Sequence, residues 1–365
     1  MRIHRLVPVF ATLLALPSGA QSFNIDFEPA SNPHGSLPAT FGAAAQSPGT
    51  WNPISTLPAS NLLSLGGAPT GVGIATSTHP ASWYLFSFDA GATGDDQALL
   101  GDMYADDSDQ FHMTATGLEP GEYDVYTYLV VPPFNACFIE VMGSPDGVQQ
   151  VAGSWNGGYA LGVNYARHHR AVADGTIDVR VQQTGPHGQA LIGTSGIQIV
   201  KTGELQVGTP MCFGDGSGPS CPCSNAGDVG RGCQNSAGTG GARLVATGTT
   251  SPDTVVLQSS GELPSALSIF LQGNAVLAPL AYGDGLRCTG GTLRRLYTKS
   301  ATNGVATAPG PGDPSITDRS AALGVPIPAA GRRYYQVYYR DANQGFCPAP
   351  TGNTFNISSA VRINW

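Results

Sequence analysis

Six aspartates lie within fifteen residues of one another, and clustered carboxylates can bind a cation or transfer protons. They are Asp95, Asp96, Asp102, Asp106, Asp107 and Asp109. Loop carboxylates are the ligands that Ca²⁺ prefers, although the spacing and central glycine of an EF-hand are missing here. A solvated acidic loop is the favoured interpretation. A structural calcium ion, with no other cofactor, is the alternative, and a glycoside hydrolase that uses paired carboxylates is a third.

Aromatic side chains give a second candidate site. Along residues 122–129, strand alternation puts three side chains on one face, Asp124, Tyr126 and Tyr128. The opposite face is apolar and is expected to pack into the core, which leaves the two tyrosines as an exposed platform for a sugar ring. Trp155 and Tyr159, in the loop-like sequence SWNGGY, are further ligand-binding candidates. Packing under a long loop or the neighbouring domain is the alternative, as it is for Tyr334, Tyr335, Tyr338 and Tyr339.

No motif of an established catalytic centre is present in the sequence. The histidines do not form an HExxH motif, no GxSxG nucleophile turn occurs, and the glycine-rich stretches lack the lysine of a phosphate-binding loop. His168 and His169 are adjacent, so in a strand they point to opposite faces and cannot bind one metal ion together. The sequence therefore predicts no catalytic residue.

Six of the seven cysteines lie in the second part of the chain, at Cys212, Cys221, Cys223, Cys233, Cys288 and Cys347. In an exported domain this number predicts three disulfides. Cys221 and Cys223 are too close to pair with each other without strain. The favoured pairing joins Cys212 to Cys223, Cys221 to Cys233 and Cys288 to Cys347. Zinc binding is the alternative, but a single residue between Cys221 and Cys223 does not match a zinc knuckle.

The first twenty residues have the features of a secretory signal peptide. Arg2 and Arg5 precede an apolar run at 6–16, and small residues follow up to Ala20, where cleavage is expected. The apolar run is too short to span a membrane, and no membrane insertion is predicted, with a short N-terminal anchor as the alternative. The mature protein is therefore expected to be secreted or to lie at the cell surface or in the periplasm.

Composition limits the class of partner. The chain of 365 residues has a formal net charge of −8, or −10 without the two arginines of the signal peptide, and its lysines are Lys201 and Lys299. Such a chain lacks the basic surface that neutralises nucleic-acid phosphates or binds anionic lipid. An extracellular polysaccharide or cell-surface glycan is the expected partner.

Short alternating runs separated by Gly, Pro, Asn and Asp recur along the chain, whereas helical periodicity is almost absent. The predicted strands are 23–27, 83–88, 122–130, 136–142, 176–183, 196–201, 243–247, 254–258, 268–272, 292–297, 334–340 and 360–365. This pattern predicts an all-β protein with two antiparallel, jelly-roll-like β-sandwich domains. The composition changes near 201–211, which places the N-terminal sandwich at 21–202 and a disulfide-stapled domain at 207–365. Cys137, outside that second domain, is expected to be a buried thiol in a strand.

The second domain resembles a Cys-rich C-terminal β-domain of uncharacterised secreted proteins from planctomycete-type bacteria. The shared motifs are CFGDG at 212–216, CPCSN at 221–225, GRGCQNS at 230–236, YGDGLRC at 282–288, PGDP at 311–314 and YYQVYYR at 334–340. That resemblance implies export but no chemistry. The first domain is similar to galactose-binding-like and other carbohydrate-binding β-sandwiches, through GDDQALLGD at 94–102, GLEPGEYDVYTYL at 117–129 and GIQIV at 196–200.

Together these patterns predict a secreted, non-catalytic binding or surface-interaction protein with carbohydrate as the expected ligand. A structural component of an extracellular matrix or cell envelope is the second hypothesis. A glycoside hydrolase that uses the acidic stretch is the third.

Overall fold

The computed structural model describes residues 21–77, 83–106, 110–130, 136–183, 192–347 and 354–365. The chain divides into two compact units, Met1–Gly203 (unit 1) and Glu204–Trp365 (unit 2). Both are built almost entirely from antiparallel strands, which confirms the predicted all-β fold class. Within the described ranges, no helix is long and apolar enough to cross a membrane.

The described residues of unit 1 form thirteen strands and one short helix. In chain order they are β1 (Phe23–Phe27), β2 (Trp51–Ile54), β3 (Gly73–Thr76), β4 (Trp83–Ser87), α1 (Asp95–Leu100), β5 (Asp102–Asp106), β6 (Gln110–Thr116), β7 (Gly121–Tyr128), β8 (Cys137–Val141), β9 (Gln149–Val151), β10 (Tyr165–Val172), β11 (Thr176–Gln183), β12 (Ile192–Thr194) and β13 (Gly196–Gly203).

Two five-stranded sheets form the sandwich of unit 1, with strand orders β10-β7-β13-β1-β2 and β3-β6-β11-β8-β9, and a three-stranded sheet is ordered β12-β5-β4. All pairs are antiparallel except β1 with β2. Alternate residues of the two large sheets face each other in one core, which includes Tyr123 and Val125 of β7 and Val179 and Val181 of β11. This is the packing that the alternating sequence pattern predicts.

In the described part of unit 2, the chain forms eleven strands and one helix. They are β14 (Thr209–Met211), β15 (Arg243–Thr247), β16 (Val256–Ser260), β17 (Leu267–Gly273), β18 (Ala275–Tyr282), β19 (Gly285–Gly290), β20 (Arg294–Ser300), β21 (Val305–Ala308), α2 (Ile316–Ala322), β22 (Arg332–Arg340), β23 (Phe355–Ile357) and β24 (Ala360–Asn364).

The largest sheet of unit 2 runs β14-β24-β22-β17-β20, with β23 also paired to β22. A three-stranded sheet, β15-β16-β21, and the β18-β19 hairpin complete the unit. Tyr335, Val337 and Tyr339 from β22 and Leu244 and Leu257 from the three-stranded sheet share one core. Of the four tyrosines in β22, three are therefore core residues, and only Tyr338 is half-buried.

Three disulfides are present in unit 2, as predicted, but two of the predicted pairs are wrong. Cys221–Cys233 is confirmed, whereas Cys212 pairs with Cys288 and Cys223 with Cys347. The irregular segment 212–233 has one internal bridge, and its other two cysteines attach it to distant parts of the unit. Bridges that close long loops restrict the unfolded chain more than local ones do, and closeness in sequence does not reveal them.

Cys137 is a buried free cysteine in β8, as expected from its strand. Burial raises the pKa of its thiol to about 11, so the thiol stays protonated and unreactive at neutral pH. The prediction for the adjacent histidines is also confirmed. His168 is fully buried in β10, and its Nε2 lies 3.0 Å from the carbonyl oxygen of Gly147, while His169 is partly exposed on the opposite face.

Removal of the Cys212–Cys288 bridge tests how strongly it stabilises unit 2. We expect the double substitution Cys212→Ala and Cys288→Ala to lower the free energy of unfolding by about 2–5 kcal/mol, because a 76-residue separation is released in the unfolded chain. Denaturant unfolding followed by circular dichroism measures the effect. Cys137→Ala is the matched control and should leave the unit 2 transition unchanged. A double variant as stable as the wild type would contradict the prediction.

Candidate functional site

A cavity of about 330 Å³ in unit 1 brings several of the predicted site residues together. Its walls are Trp155, Tyr159 and the two glycines between them, Asp95 and Asp96 at the start of α1, and residues of the segment 40–46. We call it the Trp155 pocket. It combines aromatic rings, carboxylates and an amide, a mixture typical of small-molecule sites.

The first wall is the loop that carries Trp155 and Tyr159. Their rings are 5.3 Å apart and nearly perpendicular, at 74°. Asn164 is fully buried and holds this loop, because its amide donates to the Gly158 carbonyl at 2.8 Å and its carbonyl accepts from the Ala160 N–H at 3.0 Å. The loop is therefore positioned by hydrogen bonds before any ligand binds.

The second wall is the segment 40–46, and Tyr128 holds it in place. The Tyr128 hydroxyl accepts hydrogen bonds from the backbone N–H groups of Ala44 at 3.0 Å and Ala45 at 3.3 Å. It donates to Oε1 of Gln198 on β13, at 2.5 Å. The amide nitrogen of Gln198 in turn lies 2.8 Å from Asn24 Oδ1. A buried polar network thus connects the pocket wall to the sheet.

Backbone conformation in the segment 40–46 is strained. Ala43 and Gln46 both have left-handed backbone angles, with φ of 45° and 51°. Such angles are costly for residues other than glycine, and they persist where surrounding contacts enforce them. The N–H groups of Ala44 and Ala45, which lie between these positions, donate to the Tyr128 hydroxyl and supply that enforcement. Strain of this kind is frequent at functional sites.

The third wall carries the carboxylates of Asp95 and Asp96. Helix α1 has only six residues and is fixed by burial of Leu99 and Leu100 in a cluster that also contains Tyr128. Gln97 adds two hydrogen bonds, from its amide to the Phe88 carbonyl at 2.9 Å and from the Ala90 N–H to its Oε1 at 3.2 Å. Asp95 is exposed and Asp96 is half-buried. Both carboxylates therefore reach the pocket from a fixed base.

Tyr159 links the aromatic loop to α1. Burial, followed by the nearby carboxylate of Asp96, raises the pKa of Tyr159, so its hydroxyl stays protonated. That hydroxyl is buried beside the Asp96 carboxylate. The Tyr159 ring packs edge-on against Tyr128, with centroids 5.6 Å apart.

The predicted exposed platform of Tyr126 and Tyr128 is wrong. Tyr128 is fully buried, because strand β7 lies inside its sheet and the segment 40–46 covers this face. Tyr126 is half-buried beside Arg167, whose guanidinium carbon lies 5.8 Å from the ring centroid. The carboxylate of Asp124 binds Arg167 at 2.7 Å and His169 at 3.2 Å. Of the predicted ligand-binding residues, only Trp155 and Tyr159 line the pocket.

The acidic stretch is not one solvated loop. Asp95 and Asp96 begin α1, whereas Asp102 and Asp106 are fully buried in β5, and Asp107 and Asp109 lie outside the described residues. The stretch was misread because residues 97–100 form a helical turn whose apolar side chains pack into the unit. Over the described part of the chain, no group of three or more His, Cys, Asp and Glu side chains is arranged to hold a metal ion.

Asp102 belongs instead to a trio of buried carboxyl groups with Asp26 and Glu28. Their exposed fractions are 0%, 2% and 7%, and each has at least one buried oxygen without a hydrogen-bond partner among the described residues. Burial is the main cause that raises the pKa of all three, and repulsion within the trio adds to the rise for Asp26 and Glu28. For Asp102, the nearby Ser87 hydroxyl and His34 offset part of this rise. Charge on these groups is therefore unfavourable in the folded unit.

Phe41 and Gln46 are pocket residues that the sequence analysis missed. They lie in a weakly patterned segment, and their place in the pocket depends on the contact of Ala44 with Tyr128, which is 84 residues away in the chain. The phenylalanine in an otherwise small and polar stretch, ATFGAAAQ at 39–46, was the available signal.

No protein-family model and no curated protein matches this chain. Among solved structures, the ANX1 ectodomain from Arabidopsis thaliana aligns over 94% of each chain with 8% identity and a TM-score of 0.29. A xanthan lyase from Paenibacillus aligns over 87% of this chain and 27% of its own, with 13% identity and a TM-score of 0.25. A calcium-binding mutant of Bacteroides uniformis beta-glucuronidase 2 aligns over 42% of this chain and 20% of its own, with 14% identity and a TM-score of 0.24. These similarities are too low to assign the chain to a family.

The role of Tyr128 can be tested by removing its hydroxyl alone. We expect Tyr128→Phe to lower the free energy of unfolding of unit 1 by about 1–3 kcal/mol, because the side-chain oxygen of Gln198 and the backbone N–H groups of Ala44 and Ala45 lose their hydrogen-bond partner. Urea unfolding followed by tryptophan fluorescence is suitable, since three of the four tryptophans lie in unit 1. Tyr126→Phe is the matched control, and equal stability of the two variants would contradict the assigned role.

The carboxyl trio predicts a pH dependence. Because the folded pKa values are raised, the trio's contribution to stability is complete below the ordinary carboxyl pKa of about 4 and is lost as the pH rises through the folded values. Asp102→Asn cannot ionise and should make unit 1 more stable than the wild type at pH 8, with little difference at pH 4. Urea unfolding at a series of pH values measures this. Asp95→Asn, at an exposed position, is the control, and a loss of stability that is equal at all pH values would overturn the prediction.

Proposed function

We propose that this protein is an extracellular saccharide-binding protein and that the sugar sits in the Trp155 pocket. The observation that carries the proposal is the combination of the Trp155 ring with two carboxylates and the Gln46 amide around one open cavity. Flat aromatic faces stack on the apolar faces of sugar rings, and carboxylate or amide oxygens accept hydrogen bonds from hydroxyls.

The walls of the pocket are held in place before a ligand binds, and this favours binding of a ligand that interacts weakly. Sugar hydroxyls exchange hydrogen bonds to water for hydrogen bonds to protein, with a small net gain for each. A site that must also order its own loops would lose that gain. Here Asn164 and Tyr128 already hold the two loops that form the walls.

Binding is a better interpretation of the pocket than hydrolysis. Glycoside hydrolysis uses two carboxyl groups that flank the scissile bond from separate positions. Asp95 and Asp96 are consecutive residues at the start of one short helix, so both approach a ligand from the same side. Two carboxylates on one side of the ligand can accept hydrogen bonds from two neighbouring hydroxyls of a sugar ring.

The compartment agrees with this partner class. Three disulfides indicate that the protein matures in an oxidising environment, outside the reducing cytoplasm. Export through the signal peptide at 1–20 and an extracellular polysaccharide or cell-surface glycan as the natural ligand are parts of the same proposal.

A glycan array followed by titration calorimetry tests the proposal. We expect at least one neutral saccharide to bind, and Trp155→Ala to weaken its affinity about tenfold or more through loss of stacking. Asp96→Asn should also weaken binding, because a charged acceptor is replaced by a neutral one. Unfolding midpoints of the variants show whether the fold is retained.

Tyr126→Ala is the matched aromatic control, because Tyr126 lies outside the pocket lining and should not affect affinity. If Tyr126→Ala weakens binding while Trp155→Ala does not, the ligand occupies a different surface. If no saccharide binds, the saccharide-binding proposal is wrong, and the hypothesis of a structural matrix or envelope component becomes the better one.

A further inference from the structure

A second cavity, of about 460 Å³, lies in unit 2 between the edge strand β20 and the segment that leads into α2. Three cationic side chains line it, Arg295, Lys299 and Arg319, together with one carboxylate, Asp313. We call it the Arg295 groove. None of its residues takes part in the Trp155 pocket.

The groove is held open by contacts across it. In β20, Tyr297 pairs with Phe270 and Arg295 pairs with Leu271, so Leu296 between them forms a β-bulge. The freed Leu296 carbonyl accepts a hydrogen bond from Arg319 Nε at 2.8 Å. The Tyr297 hydroxyl donates to the Pro314 carbonyl, also at 2.8 Å. These bonds fix α2 and its leading segment at a constant distance from the strand.

The guanidinium groups of the groove have unused donors. The Arg295 side chain is exposed, and no hydrogen bond or ion pair engages its guanidinium within the described residues. Arg319 uses Nε for the Leu296 carbonyl, which leaves its two Nη groups. A guanidinium presents its N–H groups as a planar fork that matches the two oxygens of a carboxylate or sulfate.

Carboxylates near the groove are already occupied. Asp313 binds Lys299 Nζ at 2.5 Å and accepts from the Gly310 N–H at 2.7 Å. Asp253 accepts from the backbone N–H and the hydroxyl of Thr317, at 2.8 and 2.7 Å. Asp318 accepts from the Ser315 hydroxyl at 2.8 Å. These acids therefore stabilise the local backbone and leave Arg295 without a partner.

The charge of unit 2 as a whole also permits an anion to approach. Residues 204–365 contain eleven Lys and Arg and nine Asp and Glu, a formal charge of +2, although the whole chain is at −8. An anionic ligand is therefore not repelled by the unit that carries the groove.

From these contacts we infer that the Arg295 groove binds a single oxyanionic group, a carboxylate or a sulfate, on a small extracellular ligand. Arg295 supplies the main fork, Arg319 adds donors from the opposite wall, and Lys299 contributes positive charge while it stays paired with Asp313. The groove would therefore recognise anionic ligands, whereas the Trp155 pocket is proposed to bind neutral saccharides.

Three sugars with the same ring test this site by titration calorimetry on the full chain: galactose, galacturonic acid and galactose 6-sulfate. Inorganic sulfate is a fourth probe, without a ring. We expect at least one acidic probe to bind more tightly than galactose and to weaken as sodium chloride is raised. The two acidic sugars distinguish a carboxylate from a sulfate. Galactose has no charged group, so its affinity measures any binding in the Trp155 pocket. The amount by which the affinity of an acidic probe exceeds that of galactose measures binding in the groove.

Arg295→Ala should weaken the acidic probe about tenfold or more, and it should fold normally because Arg295 is exposed and unpaired within the described residues. Arg243→Ala, at an exposed arginine in β15, is the matched control and should have no effect. Failure of all three anionic probes to bind beyond galactose would overturn the inference. Equal affinity of Arg295→Ala and the wild type for the acidic probe would do the same.

Discussion

The hydroxyl of Tyr128 joins the irregular segment 40–46 to the sheet that contains β7, β13 and β1. It bonds to the segment 40–46 through Ala44 and Ala45 and to β13 through Gln198, which continues to Asn24 on β1. Such a network is strongly stabilising only when every member has its partner, because an unpaired buried group costs more than a hydrogen bond gains. The wall of the Trp155 pocket therefore depends on a side chain that no ligand reaches.

Much of the fold could be predicted from alternation alone, since a strand with one buried face repeats its apolar residues every second position. The predicted strands 23–27, 176–183 and 243–247 match β1, β11 and β15 in full. Short strands such as β12, with three residues, carry too little pattern to detect. Helix α1 was missed for the same reason, because six residues cannot show a helical repeat.

The candidate site was harder to predict because its parts are assembled by long-range contacts. Trp155 and Tyr159 were found from their loop-like sequence, but the strand argument placed Tyr128 on an exposed face, since alternation separates two faces without saying what covers each. The covering segment lies more than eighty residues away in the chain. The disulfides show the same limit, because the local pairing was correct for Cys221 and Cys233 and wrong where partners lie 76 and 124 residues apart.

The net charge of the chain hides a division between its two units. Residues 1–203 hold sixteen Asp and Glu against six Lys and Arg, whereas residues 204–365 are slightly basic. Unit 1 therefore has a formal charge of −10, which exceeds in magnitude the −8 of the whole chain, and the charge argument against anionic partners applies to unit 1 alone. Within unit 1, burial and mutual repulsion raise the pKa of Asp26 and Glu28, and burial raises the pKa of Asp102. Charge separation by unit lets one chain offer carboxylates in the Trp155 pocket and unpaired guanidinium groups in the Arg295 groove.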